Sequence, residues 1–290
     1  MKVLITGISG FLGLNLLQEI NTKKFDELEI FCISRNIEQA KKLTNHSSVK
    51  LISYDIYSNI EKLYEQIGVP NILVHMAWSG LPNFQEDFHI VDNLPKEKLF
   101  LNSSVDLGVE HLIVTGTCFE YGLKEGCLEE NIVTEPVTKY GIAKDLLRKS
   151  IQEKMLKNEF KLQWLRLFYP FGYAQNPKSL IPSLQRAIDK KEDEFFITDN
   201  NIKRDFIPAN EVARYILYLF FEKKLSGIIN CCTGEPRSIL DFATDYCKNK
   251  NSNIKIVPGK FPALNYEPQR FWGSTEKMLS SSFKFKNKFF

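Results

Sequence analysis

The sequence predicts an α/β protein built on a doubly wound parallel sheet, and three observations carry that prediction. Short apolar runs alternate with helix-length segments through the first 165 residues. Three glycines, Gly7, Gly10 and Gly13, stand between the first apolar run and the first helical segment. The residues with chemistry to offer follow directly after apolar runs, where α/β sheets hold their ligands.

In chain order, residues 3–6, 29–33, 49–53, 72–76, 111–115 and 162–167 read as strands. Residues 11–20, 37–43, 59–67, 96–107 and 138–157 read as the helices between them. Beyond residue 170 the alternation loosens, with Pro170, Pro177 and Pro182 close together. Residues 210–221 read as a helix and 227–231 as a further strand. The expected division is a Rossmann-type domain over residues 1–168, rejoined by 208–232, with a smaller second lobe over 169–290.

Length and composition admit a sizeable core. The chain has 290 residues, 43% hydrophobic and 25% charged. A net charge of +3 gives no reason to expect nucleic acid, and the basic tail Lys284, Lys286, Lys288 reads as a solvated end. No apolar stretch is long enough to cross a membrane. Residues 3–5 already belong to the first strand, so no signal peptide is expected and the cytoplasm is the expected compartment. None of the six cysteines forms a Cys-x-x-Cys pair, and no metal-ligand spacing is present. Cys32 and Cys231 lie in apolar runs and read as packing residues.

The segment Thr6-Gly7-Ile8-Ser9-Gly10-Phe11-Leu12-Gly13 is a strand, a glycine-rich turn and a helix start. Gly7 permits the tight turn, and Gly10 lets the backbone approach a pyrophosphate. The helix start offers unpaired N–H groups to the phosphates. The second strand ends in Ser34-Arg35, 22 residues past Gly13, where the adenine ribose is expected. An acid there would accept from the 2′-hydroxyl of NAD; an Arg pairs with the 2′-phosphate of NADP. Arg35, with Ser34 beside it, therefore predicts NADPH. Asp26 and Glu27 stand at the wrong end of the strand to replace the missing acid. Asp55, followed by Ile56, is placed to accept from the adenine amino group.

Tyr140 and Lys144 lie four apart at a helix start and so share one face. A nearby ammonium stabilises a phenolate, which makes Tyr140 usable as an acid or base near neutral pH. Thr117 closes the fifth strand and is expected to bond a substrate oxygen.

These residues resemble the extended short-chain dehydrogenases/reductases of the nucleotide-sugar epimerase/dehydratase/reductase kind, over nearly the whole chain. The resemblance rests on the glycine segment, Asp55, His75-Met76-Ala77-Trp78, Thr117 with Tyr121-Gly122, and Tyr140 to Lys144. It extends to Arg166-Leu167-Phe168-Tyr169-Pro170 and Arg204-Asp205-Phe206-Ile207. It implies a Thr117–Tyr140–Lys144 triad, with Tyr140 and Lys144 also against the cofactor. It places His75, Ala77, Asn93 and Tyr169 at the cofactor, and Arg204 on the diphosphate of a nucleoside-diphosphate sugar. Ser79, Phe119, Tyr169 and Arg270 are candidate sugar or nucleotide contacts. A homodimer is common in that family, though these residues do not determine one.

The departures narrow the activity. Family dehydratases carry Asp-Glu after the catalytic Thr, where this chain has Cys118-Phe119. The GDP-fucose-forming epimerase-reductases carry a Cys where Phe119 stands. On an extended segment Cys118 would point the other way. The usual Asn after Arg-x-Phe is Tyr169. His46, His89 and His111 read as surface or packing residues. What is left resembles an NADPH-dependent reductase of a nucleoside-diphosphate 4-keto-6-deoxyhexose. From His75 to Lys144 the chain most resembles bacterial reductases of dTDP-4-keto-6-deoxyglucose that form dTDP-fucose, whose products feed polysaccharide and O-antigen assembly. Three alternatives stay open: a 4-epimerase with bound NAD, a reductase of a small carbonyl, and a non-catalytic NADP-binding regulator.

Overall fold

The structure is a computed structural model that describes residues 1–25, 27–44, 46–198, 201–262, 264–286 and 289. Asp26 and Lys288, both weighed above, lie outside the described residues.

The central sheet is formed by β1 (Lys2–Thr6), β2 (Glu29–Ser34), β3 (Val49–Ser53), β4 (Ile72–His75), β5 (His111–Thr117) and the strands Lys161–Leu167 and Gly227–Cys231. All seven strands are parallel, in the order β3-β2-β1-β4-β5, then Lys161–Leu167, then Gly227–Cys231 at the edge. The chain turns back at β1: β2 and β3 lie to one side, β4 and β5 to the other. A crevice therefore opens beyond the carboxyl end of β1. Helices α1 (Phe11–Asn21), α2 (Glu38–Leu43), α3 (Ile60–Ile67), α4 (Leu94–Asp106) and α5 (Lys139–Met155) are the crossovers. The fold is α/β and Rossmann-type.

Alternation along the strands explains the winding on both faces. Val3 and Ile5 of β1 pack with α1 and the helix Ala209–Leu219. Leu4 between them faces the other layer, with α3, α4 and α5. Both clusters are buried and apolar, so the inner strands carry apolar residues on both faces, as a sheet covered on two sides requires. The 208–232 segment supplies the helix Ala209–Leu219 and the edge strand.

After Leu167 the chain builds short two-stranded pairs. Ile207–Pro208 runs beside Pro170–Phe171, Lys203–Asp205 opposes Pro236–Ser238, Lys255–Phe261 lies along Glu194–Thr198, and Phe271–Gly273 along Gly126–Leu128. The helices Leu180–Asp189 and Ile239–Asn249 cover them over an aromatic cluster in which Phe206 and Phe242 stack at 3.8 Å. Asp205 ties these pieces together. Its buried carboxylate accepts from the Thr233 N–H and hydroxyl, at 2.8 and 2.6 Å, and from the Gly234 N–H at 2.9 Å. Among the described residues no helix is long and apolar enough to cross a membrane.

Candidate active site

The carboxyl ends of β1 to β5 lie along one edge, and the residues singled out in the sequence follow from there. Gly7 has a φ of +76°, in the left-handed region, so the turn after β1 requires glycine. A Cβ on Gly7 would stand 2.6 Å from the Ala77 nitrogen, and one on Gly13 would stand 2.4 Å from the Gly7 carbonyl oxygen. These two glycines let β1, α1 and the segment after β4 close on one another. Gly10 is different: a Cβ there would meet only the Gly7 oxygen, at 3.3 Å, and its outer side is open. Gly10 also starts α1 with no side-chain cap, so the first N–H groups of the helix are left for a ligand. An unobstructed glycine at an uncapped helix start fits a pyrophosphate.

Two cavities meet at this turn. The first is lined by Gly7, Ser9, Gly10, Ser34, Arg35, Asp55, Ile56, Tyr57, Ala77, Trp78 and Ser79. Arg35 is exposed at its rim, and the Ser9 and Ser34 hydroxyls share a 2.6 Å hydrogen bond across its floor. Among the described residues lining it, the one carboxylate is Asp55, after β3 and not at the end of β2. The second cavity, of about 420 Å³, runs from Gly7, Gly10, Phe11, Leu12 and Gly13 to Thr117, Phe119, Tyr140, Lys144 and Tyr169. It continues into a third, of about 410 Å³, shared through Pro82, Phe84, Tyr169, Gln175, Asn176 and Ser179.

Thr138 sets which face of α5 lines the second cavity. Its hydroxyl accepts from the Gly141 N–H at 2.9 Å, which starts the helix at Lys139 and puts Tyr140 and Lys144 one turn apart. Tyr140 and Thr117 line the same cavity, and the Thr117 hydroxyl is near enough to favour the Tyr140 phenolate. Lys144 donates to the Thr115 carbonyl at 3.0 Å, and its ammonium lies 4.1 Å above the Trp78 ring. Trp78, Phe84, His89 and Phe119 surround the Tyr140 ring, with centroids 5.4 to 6.5 Å away.

The electrostatics differ from the expectation that Lys144 lowers the Tyr140 pKa. Burial raises the Tyr140 phenol well above its ordinary value; Glu120 and Cys118 add to the rise, and the nearby Thr117 hydroxyl opposes it. Burial also brings Lys144 down from 10.5 to about 8, against the pull of Glu97 and Glu120. This arrangement keeps the tyrosine protonated, the form a proton donor needs.

Other residues singled out in the sequence stand elsewhere. His75 is fully buried and lines neither cavity. Its Nδ1 bonds the Thr6 hydroxyl at 2.8 Å and its Nε2 the Glu97 carboxylate at 2.5 Å, and Glu97 also accepts from the Tyr57 hydroxyl at 2.6 Å. The ring braces the sheet beneath the crevice. Asn93 is likewise set back, donating to the Ser79 carbonyl at 3.0 Å. Arg204 is buried and already paired. Its guanidinium meets Glu267 at 2.7 Å and donates to the Gln269 carbonyl at 3.0 Å, while Glu267 also accepts from the Tyr169 hydroxyl at 2.8 Å. A phosphate on Arg204 would have to displace Glu267. Arg270 is exposed, with Nε 3.3 Å from the Asn201 carbonyl, and lines none of these three cavities. Cys118 does reach the second cavity, because the chain leaves β5 as a tight 3₁₀ turn over Cys118–Tyr121, where strand alternation no longer applies. Burial holds its thiol protonated.

Sequence reasoning missed two groups. One is Gln175, Asn176, Lys178 and Ser179 in the third cavity, at the uncapped start of the helix Leu180–Asp189. Nothing in the irregular 170–180 stretch marked them. The other is Glu120, for which the signal was present: Thr117 and Glu120, three apart, form a capping box.

Residues 3–232 match the model of the NAD dependent epimerase/dehydratase family, and the chain belongs to that family. It is similar to the dTDP-6-deoxy-L-talose 4-dehydrogenase (NAD(+)) of Aggregatibacter actinomycetemcomitans, with 28% identity over 94% of this chain and 100% of that protein. It is also similar to the GDP-6-deoxy-D-talose 4-dehydrogenase of the same organism, with 28% identity over 97% of this chain and 90% of the other. The UDP-N-acetylglucosamine 4-epimerase of Methanobrevibacter ruminantium M1, solved with UDP-N-acetylmuramic acid, shares the fold, with a TM-score of 0.85, 20% identity, and 98% and 92% of the two chains covered.

Proposed function

We propose that this protein is an oxidoreductase acting at C4 of a nucleoside-diphosphate 6-deoxyhexose, working as a 4-ketoreductase. One observation carries the reading: a single crevice joins the glycine turn to Thr117, Tyr140 and Lys144 and then runs on into the 169–290 region. The two dehydrogenases named above act, by their names, at C4 of 6-deoxyhexoses on dTDP and GDP, which supports the reaction class. In this reading residues 1–168, with 208–232, hold the cofactor, and the remainder of 169–290 receives the sugar nucleotide.

A nicotinamide dinucleotide, when bound, supplies the hydride. Gly7, Ser9, Gly10 and the start of α1 would hold its pyrophosphate, with Asp55 and Ile56 at the adenine. The name of the dTDP-6-deoxy-L-talose 4-dehydrogenase (NAD(+)) carries NAD, whereas Arg35 and Ser34 close the ribose end here without an acid; we assign NADPH on that ground. Thr117 orients the ketone oxygen, and Tyr140 gives its proton to that oxygen as the charge develops. Lys144 holds the cofactor ribose. The apolar wall of Leu81, Pro82, Phe84 and Phe119 keeps water from the reacting carbon. With Arg204 masked by Glu267, the diphosphate goes to Lys178, Ser179 and the start of the helix Leu180–Asp189.

The test is absorbance-monitored oxidation of NADPH and NADH against 4-keto-6-deoxyhexoses carried on thymidine, cytidine, guanosine and uridine diphosphates. Stoichiometric oxidation with one of them is expected. A second reading, a 4-epimerase that retains NAD, draws on the NAD in the name of one relative and on the fold shared with a UDP-N-acetylglucosamine 4-epimerase. It predicts an isomerised sugar with no net oxidation. A non-catalytic regulator has no need of Tyr140 and Lys144 facing one crevice.

A further inference from the structure

Directly behind Thr117 lies a buried charge that this mechanism does not use. Glu120 is fully buried. One carboxylate oxygen accepts from the Thr117 backbone N–H at 2.9 Å and from the Trp164 indole at 2.8 Å. The other accepts from Arg166 at 2.8 Å, with Arg148 at 3.5 Å. Room for this carboxylate comes from Gly116, where a Cβ would stand 2.5 Å from Glu120 Oε1 and 2.1 Å from Trp164 Nε1. A capping box on an exposed turn needs neither an indole nor two guanidinium groups. Burying a carboxylate is unfavourable unless its lone pairs are used, and here three hydrogen-bond donors and the Arg148 cation converge on it.

We propose that Glu120 is a positioning residue of the reaction: it locks the Thr117 backbone against Tyr140 and sets a negative charge behind the proton donor. The lock fixes where the Thr117 hydroxyl meets the Tyr140 hydroxyl. The charge favours the neutral phenol over the phenolate, so the proton stays on Tyr140 until the substrate oxygen takes it. The titratable groups around Tyr140 are Lys144 on its own helix, His89 at 5.4 Å between ring centroids, and Cys118 and Glu120 on the turn after β5. Glu97, on α4, reaches Lys144. Of these, Glu120 is the anion bonded to the backbone of Thr117.

This inference rests on the oxidoreductase reading. The test compares wild type, Glu120→Gln and Glu120→Asp in the full chain, with NADPH and the nucleoside-diphosphate 4-keto-6-deoxyhexose that the panel above selects, over pH 6 to about 10. Glu120→Gln keeps the shape and removes the charge. Its kcat is expected to fall about 10–100-fold with KM within about twofold, and the alkaline limit of kcat, which Lys144 sets near 8 and Glu120 holds up, to move down by about one pH unit. A merely structural loss lowers the active fraction without moving that limit. Glu120→Asp keeps the charge but is one methylene too short to bond Thr117, so kcat falls and the limit stays. If Glu120→Gln does not fold, Glu120→Asp carries the test through kcat per cofactor-binding site, which is expected to fall and which a merely structural loss leaves unchanged. Wild-type turnover with unchanged kcat and pH limits in the folded variants overturns the proposal alone. No turnover by wild type on any sugar nucleotide of the panel overturns the reading beneath it, and the proposal with it.

Discussion

Lys144→Met is expected to make the cofactor-free protein more stable and abolish its turnover. Lys144 is 1% exposed, with the Thr115 carbonyl and the Trp78 ring as its direct partners. Its ionisation falls from 10.5 to about 8 on folding, which costs the folded state about 3 kcal/mol at neutral pH. Methionine fills nearly the same volume without the charge and forfeits one hydrogen bond worth about 1 kcal/mol. The net expectation is a gain of about 2 kcal/mol. The sign with pH follows from linkage. Because the folded pKa lies below the unfolded one, the wild-type penalty is fully present below about 8 and fades as pH rises to 10.5. The variant's lead is therefore largest at pH 7 and closes toward pH 10.5. Urea unfolding of both proteins without cofactor, at pH 7 and in steps above 8, measures the difference. A variant less stable than wild type at pH 7, or a lead independent of pH, would refute the reasoning, because Lys144 would then be a net structural bond.

Three further outcomes follow from the same geometry. Tyr140→Phe removes the proton donor but not the cavity, so turnover is expected to fall about 10²–10⁴-fold while cofactor titration is unchanged; lost binding would contradict its assignment. Arg35→Ala removes the cation at the ribose end and is expected to erase an NADPH preference of about 10–100-fold in kcat/KM; an unchanged preference would make Arg35 a surface residue. Gly7→Ala combines a φ of +76° with a Cβ 2.6 Å from the Ala77 nitrogen, so loss of cofactor binding and destabilisation by more than about 1 kcal/mol are expected in a thermal melt with and without NADPH.

The sheet was legible because its strands are apolar on both faces and short, and because Gly7, Gly10 and Gly13 mark the first crossover. Tyr140 and Lys144 were legible because helical spacing alone puts them together. The rest depends on partners that a linear reading does not reveal. His75 has the sequence of a cofactor residue, yet Thr6 and Glu97 hold both its nitrogens inside the sheet. Arg204 reads as a phosphate ligand until Glu267, 63 residues on, is seen to pair with it. Cys118 was misdirected because strand alternation was carried one residue past the end of β5, into a turn that Thr117 and Glu120 start together. Lys178 and Ser179 gave no periodic signal, since their place is set by packing of the helix Leu180–Asp189 against the helix Ile239–Asn249.

The most direct test of the central claim is the fate of a labelled hydride. NADPH carrying deuterium on the transferable position would be incubated with the nucleoside-diphosphate 4-keto-6-deoxyhexose that the panel selects, and the product read by NMR. Deuterium at C4, one per NADPH consumed and absent with Tyr140→Phe, is the result predicted here. A product without deuterium, formed while NADPH is untouched, would contradict it.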